Sequence, residues 1–409
     1  MTFQEIIESC PNEVDLTNEG HSELIMATVE SILNEGFNIP DIEKIEQQLI
    51  RDNDKSSIFI LLALKIARSK ILASKVTEPL FVSVVFAVYK EHNRIRKSNE
   101  HPHGEDFLLR KVKQLQWLFD NKDNIEWEMI IVDDGCPEGS GRIAQGIIDK
   151  HELNEIVRVL YLAEAIEQKH PVAKSLDKTS ESQKGGSIVY GMWDAIKRKK
   201  NANHIVIYTD ADLSTHLGQV MLLAEPLVNL DKMVAIGSRR ETNSVVIKKG
   251  ARNNRGKLFI YLWKRLIPNL GEIVDTQCGF KGFRAEIIPH VIKDMIEKKF
   301  AFDIELLLRA ELHRNDGITK VPIAWIDSEA ASTTTDLQPY LSMLKSIVKM
   351  YRKYFTPGDL SEEFAIFIES VGENEFQKML ENIPTDIIAR NPELFTGYDK
   401  VRVKDFVIK

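Results

Sequence analysis

Two aspartates separated by one residue follow an apolar stretch near the middle of the chain. Asp210 and Asp212 lie in the segment TDADLS, residues 209–214, directly after the apolar run HIVIY. Two carboxylates on a turn can meet one hard divalent cation, and Mg²⁺ in proteins usually takes one or two carboxylates together with phosphate oxygens. The pattern therefore indicates a metal-assisted nucleotide-diphosphate site. Acidic residues are common in turns, so an ordinary turn is the alternative.

Two further segments could bind the rest of a nucleotide. In VDDG, Asp133 and Asp134 follow another apolar run, and a carboxylate there could accept hydrogen bonds from a nucleobase or a ribose; a turn acid is the alternative. Lys184, Gly185 and Gly186 begin a helical pattern, where exposed N–H groups suit an anion, although a glycine pair more often marks a turn. The complete GxGxxG and GxxxxGK[ST] motifs are absent, so neither dinucleotide binding nor a P-loop is predicted.

Two later segments place polar groups in apolar surroundings. Residues 275–284, DTQCGFKGFR, combine glycines, a carboxylate, an amide and two basic residues within ten positions. Asp303 and Glu305 interrupt the apolar helical pattern FAFDIELL. An acid in such surroundings has a raised pKa unless it is paired, which is how general bases are tuned. A helix cap or a buried ion pair is the alternative.

These segments follow β-branched, apolar stretches that predict strands. The stretches are LFVSVVFAV, EMIIVDD, VRVLYLA and HIVIYTDAD, and helical patterns lie between them at about 107–120, 139–151 and 185–199. Continuous apolar strands that alternate with helices predict an α/β fold with a mostly parallel sheet covered on both faces. Such sheets bind ligands at the carboxyl ends of their strands, which is where the aspartates of VDDG and TDADLS are expected to lie.

Helical patterns also flank the α/β unit. Residues 21–33 and 56–73 repeat apolar residues at intervals of three and four. We therefore predict a helical N-terminal extension (1–78), an α/β domain (79–355) and a small helical C-terminal appendage (356–409). The polar insertions 94–106 and 167–182 are interpreted as mobile loops, and the two histidines of the first insertion lack a third metal ligand nearby.

Composition excludes several classes of function. The 409 residues carry a net charge of −7 and 43% hydrophobic residues, which predicts a globular protein without charge-driven nucleic-acid binding. Three widely spaced cysteines indicate free thiols in a reducing compartment. The longest apolar runs are too short to span a bilayer, so a cytoplasmic protein without a transmembrane segment is expected. The amphipathic pattern of residues 341–355 leaves a peripheral membrane contact as an alternative, although packing on the sheet is favoured.

Taken in order, these segments resemble glycosyltransferase family 2. The similarity runs from residue 83 to about residue 355 and includes VDDG, KGG, TDADLS, GSRR, DTQCGFKGF and FAFDIELL. The last two look like the branch that glycosylates dolichyl and polyprenyl phosphates. The chain departs from the family where the usual PxYNE reads AVYKE, where VDDGS reads VDDGC, and in lacking the membrane-spanning segment that many members of this branch carry.

The resemblance implies the GT-A fold, which is Rossmann-like, and an inverting, metal-dependent transfer of a sugar, most simply glucose from UDP-glucose. Asp210, Ala211 and Asp212 would bind the donor diphosphate, the two aspartates through Mg²⁺ or Mn²⁺, and Asp303 would be the acid on the acceptor side. The other residues that would contact the nucleotide sugar are Glu91, Asp133, Asp134, Lys184, Gly185 and Gly186. Those expected on the acceptor or diphosphate side are Arg239, Arg252, Arg255, Gln277 and Lys281.

The acceptor is left open between two chemistries. A polyprenyl or dolichyl phosphate brings an anionic oxygen and needs no base, whereas the hydroxyl group of a soluble acceptor needs Asp303 to take its proton. A catalytically silent nucleotide-sugar-binding scaffold is an alternative from another class. A nucleotidyltransferase can share such a sheet, but DTQCGFK and FDIELL do not indicate one. The sugar, the oligomeric state and the roles of the two flanks are not specified by the sequence.

Overall fold

The central element of the protein is a seven-stranded sheet. A computed structural model describes residues 13–52, 57–198, 203–247, 253–327, 339–395 and 401–406, together with a few positions before residue 13. The strands are β1 (Leu80–Val88), β2 (Ile125–Asp133), β3 (Val157–Tyr161), β4 (Asn203–Thr209), β5 (Val234–Ser238), β6 (Val245–Ile247), β7 (Phe280–Arg284), β8 (Ile318–Pro322) and β9 (Ala324–Ile326).

Helices cover both faces of the sheet and extend beyond it at both ends of the chain. They are α1 (Glu19–Asn34), α2 (Ile39–Asp52), α3 (Ser57–Ser74), α4 (Phe107–Phe119), α5 (Ser140–Lys150), α6 (Leu162–Glu167), α7 (Gly185–Lys197), α8 (Val220–Asn229), α9 (Asn253–Leu266), α10 (Ile288–Ile292), α11 (Phe302–His313), α12 (Tyr340–Tyr354), α13 (Asp359–Ser370), α14 (Glu373–Glu381) and α15 (Thr385–Ala389). The predicted α/β architecture with helical extensions is confirmed.

Strands are added outward from β1 to β3 on one side of the sheet, and β4 then returns to the other side of β1. The order of the strands therefore reverses between β1 and β4. The order is β3-β2-β1-β4-β7-β5-β8, and β6 pairs with β9 in a separate two-stranded sheet. Strand β7 is antiparallel to both β4 and β5, whereas the other pairs are parallel. The four strands predicted from apolar runs are β1 to β4. The strand β7 within DTQCGFKGFR was not predicted.

Alternation along the buried strands divides the core into two layers. Val84 and Phe86 of β1 pack with helices α1 to α5 and α8, whereas Val85 packs on the other face with α7, α9 to α12 and the C-terminal helices. In a strand, successive side chains point to opposite faces, so an uninterrupted apolar run can serve both layers. This explains why the strands show no polar alternation in the sequence.

The N-terminal helices are packed onto the first layer. Helix α3 contacts α1, α2, α4 and α8, and its Lys65 lies 3.8 Å from Glu46 of α2 in a buried ion pair. The domain boundaries at residues 78 and 355 stay a prediction. The insertion at 94–106, predicted to be mobile, is anchored by Arg94, whose guanidinium donates to both carboxylate oxygens of Glu105 at 3.0 and 3.2 Å.

The C-terminal appendage is tied to helix α9 by apolar packing and by buried cations. Phe364 of α13 is fully buried, and the guanidinium of Arg265 lies 3.8 Å from the centre of its ring. Lys257 donates to the carbonyl of Ile388 at 2.6 Å, and Lys264 donates to that of Pro392 at 3.2 Å. The appendage therefore shares the core of the second layer.

We expect Phe364→Ala to lower the free energy of unfolding by about 3 to 5 kcal/mol, because it leaves a cavity in this shared core. The neighbouring Ile366 is 57% exposed on the same helix, and Ile366→Ala should change stability by no more than about 0.5 kcal/mol. Urea unfolding of both variants measures the difference. Equal, small effects would mean that the appendage is not part of the cooperative unit.

Helix α12 does not offer an apolar face to a membrane. The residues of its predicted bilayer-facing stripe are buried against the second layer: Leu341, Leu344, Ile347, Val348 and Tyr351. The favoured interpretation, that this helix packs within its own domain, is therefore confirmed, because the core uses the stripe that a bilayer contact would need. No helix among the described residues is long and apolar enough to cross a membrane.

Candidate active site

The predicted site lies at the carboxyl ends of β1, β2 and β4. Tyr89 and Glu91 follow β1, Asp133 ends β2, and Asp210 and Asp212 follow β4. These strands are adjacent and parallel, so their ends open on one edge of the sheet, at the β1–β4 reversal. Open α/β sheets bind ligands in such a crevice. Tyr89 is 47% exposed and is available to stack on a planar group there.

Asp210 forms an ion pair with Lys184, the residue that precedes helix α7. Burial raises the pKa of Asp210, but the ammonium of Lys184 outweighs it and holds the pKa below its usual value. The carboxylate rests against Gly279, where a Cβ atom would lie 2.2 Å from Asp210 Oδ2. The glycine before β7 is therefore required by the position of Asp210, and any side chain there would displace the carboxylate.

Asp212 completes a donor set that fits a hard divalent cation. Its Oδ1 accepts hydrogen bonds from the backbone and hydroxyl of Ser214, at 3.0 and 2.5 Å, and its Oδ2 accepts none from the described residues. Ala211 is buried between the two acids. No third His, Cys, Asp or Glu joins them in a metal cluster within the described chain. Two carboxylates suit Mg²⁺ or Mn²⁺ when phosphate oxygens and water supply the other ligands.

Both aspartates of VDDG accept hydrogen bonds, Asp133 from the loop and the start of α5 that follow it and Asp134 from residues at the start of α7. Asp133 accepts from the backbone N–H groups of Cys136 and Gly141 at 2.8 and 2.7 Å. Asp134 accepts from the backbone of Lys184 at 2.8 Å and from the hydroxyl of Ser187 at 2.6 Å. Burial raises the pKa of Asp134, and hydrogen bonds from Ser182, Ser187 and the Lys184 backbone partly offset the rise. Each oxygen keeps a second lone pair, so the two acids stay candidates for base and ribose binding.

The glycine pair after Lys184 serves packing. At Gly185 a Cβ atom would lie 2.7 Å from the carbonyl oxygens of Lys298 and Lys299, and the N–H group of Gly186 donates to the Lys298 carbonyl at 2.8 Å. The helix start therefore does not present the free N–H pair that the sequence indicated for an anion. The side chain of Lys184 is the group that remains for phosphate. Its backbone has φ +88°, which residues other than glycine rarely adopt.

Glu91 lies at the end of a buried ion-pair chain. The guanidinium of Arg94 donates to Glu91 at 2.9 Å and continues to Glu105. Burial raises the pKa of Glu91 to about 7. The guanidinium of Arg94 opposes this rise, and the negative charge of Asp212 adds to it. The loop between β1 and α4 thus brings a readily protonated acid close to the predicted metal ligands. The sequence predicted Glu91 but not Arg94 or Glu105.

Arg239, the first arginine of GSRR, is bound to Asp275 rather than left free. Its guanidinium donates to both oxygens of Asp275, at 2.9 and 2.7 Å, and its backbone N–H donates at 2.8 Å. The same guanidinium lies 5.1 Å from the ring centre of Trp325. Burial raises the pKa of Asp275, but Arg239 outweighs it and lowers the pKa to about 2. Part of the Arg239 side chain stays exposed at the site edge.

The Asp275–Arg239 pair gives a pH-dependent stability. Because the pKa of Asp275 is depressed from 3.8 to about 2, its stabilisation is present above about pH 4 and is lost as the pH falls toward 2. We expect the free energy of unfolding of wild type to exceed that of Asp275→Asn by about 2 kcal/mol at pH 6, as measured by urea unfolding. The difference should become smaller at each step from pH 4 to pH 2. In the background Arg239→Met, which lacks the cation, the burial of Asp275 is no longer outweighed and raises its pKa, so the stability difference should no longer shrink as the pH falls from 4 to 2. A difference that still shrinks over this range would contradict the assignment.

The two acids of FAFDIELL have different surroundings. Asp303 is almost fully buried and accepts hydrogen bonds from Tyr208 and, at 2.7 Å, from Lys281. Glu305 accepts from the backbone of Ile296 and Glu297, at 2.7 to 3.1 Å, and from a tyrosine hydroxyl of α12. Glu305 therefore fixes the segment before α11. Asp303 stays the candidate for the acceptor side.

The remaining predicted residues differ in how far they are exposed to the site. Lys281 was expected to face the acceptor or the diphosphate, but its side chain is fully buried and bound to Asp303 and to the Cys278 carbonyl. Gln277 is half-buried, and its Nε2 has no hydrogen-bond partner among the described residues. Arg255 is half-buried near the start of α9, and Arg252 lies outside the described residues.

One buried cation of this region was not predicted. Lys111 of α4 is fully buried, and its Nζ has no hydrogen-bond partner in the part of the chain that the structure describes. Burial lowers its pKa to about 8, while Asp212 and Asp210 act in the opposite direction. The sequence signal was a lysine four residues from both Phe107 and Leu115, in a helical stripe whose other buried positions are apolar apart from Gln114.

Curated proteins similar to this chain include dolichyl-phosphate β-glucosyltransferases. The protein from Drosophila melanogaster is 27% identical over 283 residues, which cover 67% of this chain and 76% of that protein. The protein from Saccharomyces cerevisiae is 25% identical over 294 residues, covering 68% and 76%. No family model matches the chain. These relatives confirm the predicted resemblance to glycosyltransferase family 2.

Solved structures similar to this chain include two synthases of sugar-linked phosphoglycerates. The glucosyl-3-phosphoglycerate synthase from Mycobacterium tuberculosis, in complex with Mn²⁺, uridine diphosphate and glucosyl-3-phosphoglycerate, covers 72% of this chain and 86% of its own, with 16% identity and a TM-score of 0.46. The mannosyl-3-phosphoglycerate synthase from Rubrobacter xylanophilus covers 70% and 76%, with 14% identity and a TM-score of 0.43. Similarity at this level carries no information about the ligands of this chain.

Proposed function

We propose that this chain, a glycosyltransferase related to the dolichyl-phosphate β-glucosyltransferases, transfers glucose from UDP-glucose to a polyprenyl or dolichyl phosphate with inversion at the anomeric carbon. One observation carries the proposal: Asp210 and Asp212 follow β4 at the reversal of the sheet, with Lys184 paired to the first of them. This arrangement gathers the charges that a nucleotide diphosphate requires. The name of the relatives supplies the acceptor class.

Asp210 and Asp212 would hold the divalent cation against the diphosphate. A bound Mg²⁺ or Mn²⁺ supplies positive charge that offsets the charge developing on the departing nucleoside diphosphate. Lys184 would move from Asp210 to a phosphate oxygen when the donor binds, since its ammonium is the nearest cation and a phosphate is the more highly charged partner. Tyr89 follows β1 and Asp134 follows β2, so both would be near the nucleoside at this edge of the sheet.

The acceptor would approach from the side of Asp303. A phosphate acceptor is already anionic at neutral pH and attacks without losing a proton to the protein. The exposed part of Arg239, and the arginines near the start of α9, would then supply cations for it. A soluble acceptor with a hydroxyl group needs a base, and Asp303 would then take its proton.

A two-stage experiment tests the proposed function. A panel of nucleotide diphosphate sugars is first compared by thermal unfolding with and without Mn²⁺, since a ligand at a hundred times its dissociation constant stabilises by about 2.7 kcal/mol. UDP-glucose with metal is expected to give the largest shift. Transfer of labelled glucose to dolichyl phosphate, polyprenyl phosphate and glycerol is then measured. Stabilisation without transfer to any acceptor would indicate the catalytically silent scaffold. Transfer to glycerol alone would mean that the acceptor is a hydroxyl compound and not a lipid phosphate.

A further inference from the structure

Three side chains from separate elements meet behind the candidate site. Tyr208 of β4 and Lys281 of β7 are direct cross-strand partners, so their side chains leave the sheet on the same face. Helix α11 packs over that face and places Asp303 in its first turn. The ammonium of Lys281 lies 2.7 Å from Asp303 Oδ1, and the hydroxyl of Tyr208 donates to the same oxygen. Lys281 is fully buried, and the Asp303 side chain is 6% exposed.

Both donors use one oxygen of the carboxylate. Oδ1 of Asp303 accepts from Tyr208 and Lys281, whereas Oδ2 accepts no hydrogen bond from the described residues. Lys281 is itself fixed, because it also donates to the carbonyl of Cys278. Two converging donors, one of them charged, define the rotation of a carboxylate more strictly than a single bond does. The second oxygen is thereby left for another partner.

The carboxylate is adjacent to the groups proposed to bind the donor. Phe302, the neighbour of Asp303, has its Cβ only 2.7 Å from where a Cβ of Gly185 would lie, so the start of α11 abuts the start of α7. Burial lowers the pKa of Lys184, but Asp210 and then Asp303 outweigh it and raise the pKa.

We propose that Tyr208 and Lys281 are positioning residues that act through Asp303: together they hold its Oδ1 and leave Oδ2 to serve the acceptor side. The inference rests on the proposed function, since it concerns the acid of the transfer site. It adds a hydroxyl that the motifs do not single out, and it gives the buried Lys281 a role other than substrate contact. Tyr208 touches neither substrate in this arrangement.

A kinetic double-mutant cycle tests the inference. Tyr208→Phe removes one oxygen and keeps the ring, which stacks near Phe283 and Phe302. We expect kcat for glucose transfer to fall about tenfold, the scale of a lost hydrogen bond to a charged group, with the KM for UDP-glucose unchanged. In the Asp303→Asn background, Tyr208→Phe should have little further effect, because a residue that acts through another loses its influence when that residue is removed.

Tyr354→Phe is the matched control. The Tyr354 hydroxyl of α12 donates at 2.6 Å to Glu305, which lies on α11 like Asp303 but is bound to the backbone outside the site. The effect of Tyr354→Phe on kcat should be the same in wild type and in Asp303→Asn. If the wild type is active and the losses in kcat caused by Tyr208→Phe and Asp303→Asn simply add, the positioning inference is wrong while the proposed function stands. A wild type that transfers no sugar would overturn the proposed function instead.

A thermal cycle supplies a readout that needs no activity. Lys281→Met and Asp303→Asn each leave one buried charge without its partner, so each should lower the melting temperature by on the order of 4 °C. The double variant contains neither charge and should recover much of that loss. If the losses of the two single variants simply add in the double variant, Lys281 does not hold Asp303, and the inference is wrong.

Discussion

Replacing Asp210 or Asp212 with asparagine is expected to reduce glucose transfer at least about a hundredfold while the fold is retained. The loss follows because each variant removes one of two carboxylates that would hold the cation against the departing diphosphate. Asp210→Asn also leaves Lys184 without its ion-pair partner, but both side chains are about one-third exposed, so the melting temperature should fall less than it would for a fully buried pair. Initial rates at saturating Mn²⁺, with circular dichroism as a check on folding, provide the measurement.

The matched control is Asp231→Asn, at an exposed acid that pairs with Arg314 away from the site. This variant should transfer at the wild-type rate. Wild-type activity should vanish with EDTA and return with Mn²⁺ or Mg²⁺. Undiminished turnover in chelator, or equal losses in Asp231→Asn and Asp210→Asn, would contradict the metal assignment.

The second large effect is expected at Lys184, where function and local stability oppose each other. Its backbone has φ +88° and ψ −51°, a conformation that glycine adopts without the steric penalty of a side chain. Lys184→Gly should therefore unfold at the same or a higher temperature than wild type. The same variant should lose at least about a hundredfold in kcat/KM, because it removes the cation nearest the predicted diphosphate site.

Lys174→Ala is the control for the loss of a lysine between α6 and α7, since the Lys174 ammonium pairs with Asp294 at the surface. It should leave both kcat/KM and stability close to wild type. Lys184→Arg keeps the charge and should recover part of the activity. A Lys184→Gly variant with full activity would remove the lysine from the proposed donor site, whatever its stability.

Several features of the site follow directly from adjacent residues in the sequence. The apolar runs that became β1, β2 and β4 end directly at Tyr89–Glu91, Asp133 and Asp210, so the strand prediction also predicted which side chains share an edge. Parallel strands of one sheet present their carboxyl ends together, and this makes the prediction possible without knowing the register. The helices at 107–119, 140–150 and 185–197 were likewise predicted to within about two residues, because their patterns are long and periodic.

Partners that come from distant parts of the chain were not predictable in this way. Asp134 proved to be bound to the backbone of Lys184, and the glycine pair proved to be packed against Lys298. Such contacts depend on how distant loops close and not on residue type alone. Lys111 was missed because helix periodicity shows that a position faces inward but not which charge it meets there.

The sequence by itself determined the α/β fold and the sheet edge at which the candidate pair Asp210 and Asp212 lies, because both depend on short, contiguous patterns. Only the tertiary structure decided that DTQCGFKGFR contains an antiparallel strand inserted between β4 and β5. That insertion brings Asp275 to Arg239, Gly279 to Asp210, and Lys281 to Tyr208 and Asp303. The physical reason is that strand pairing is set by which segments can bury their faces together across the whole chain, and no local periodicity records that choice.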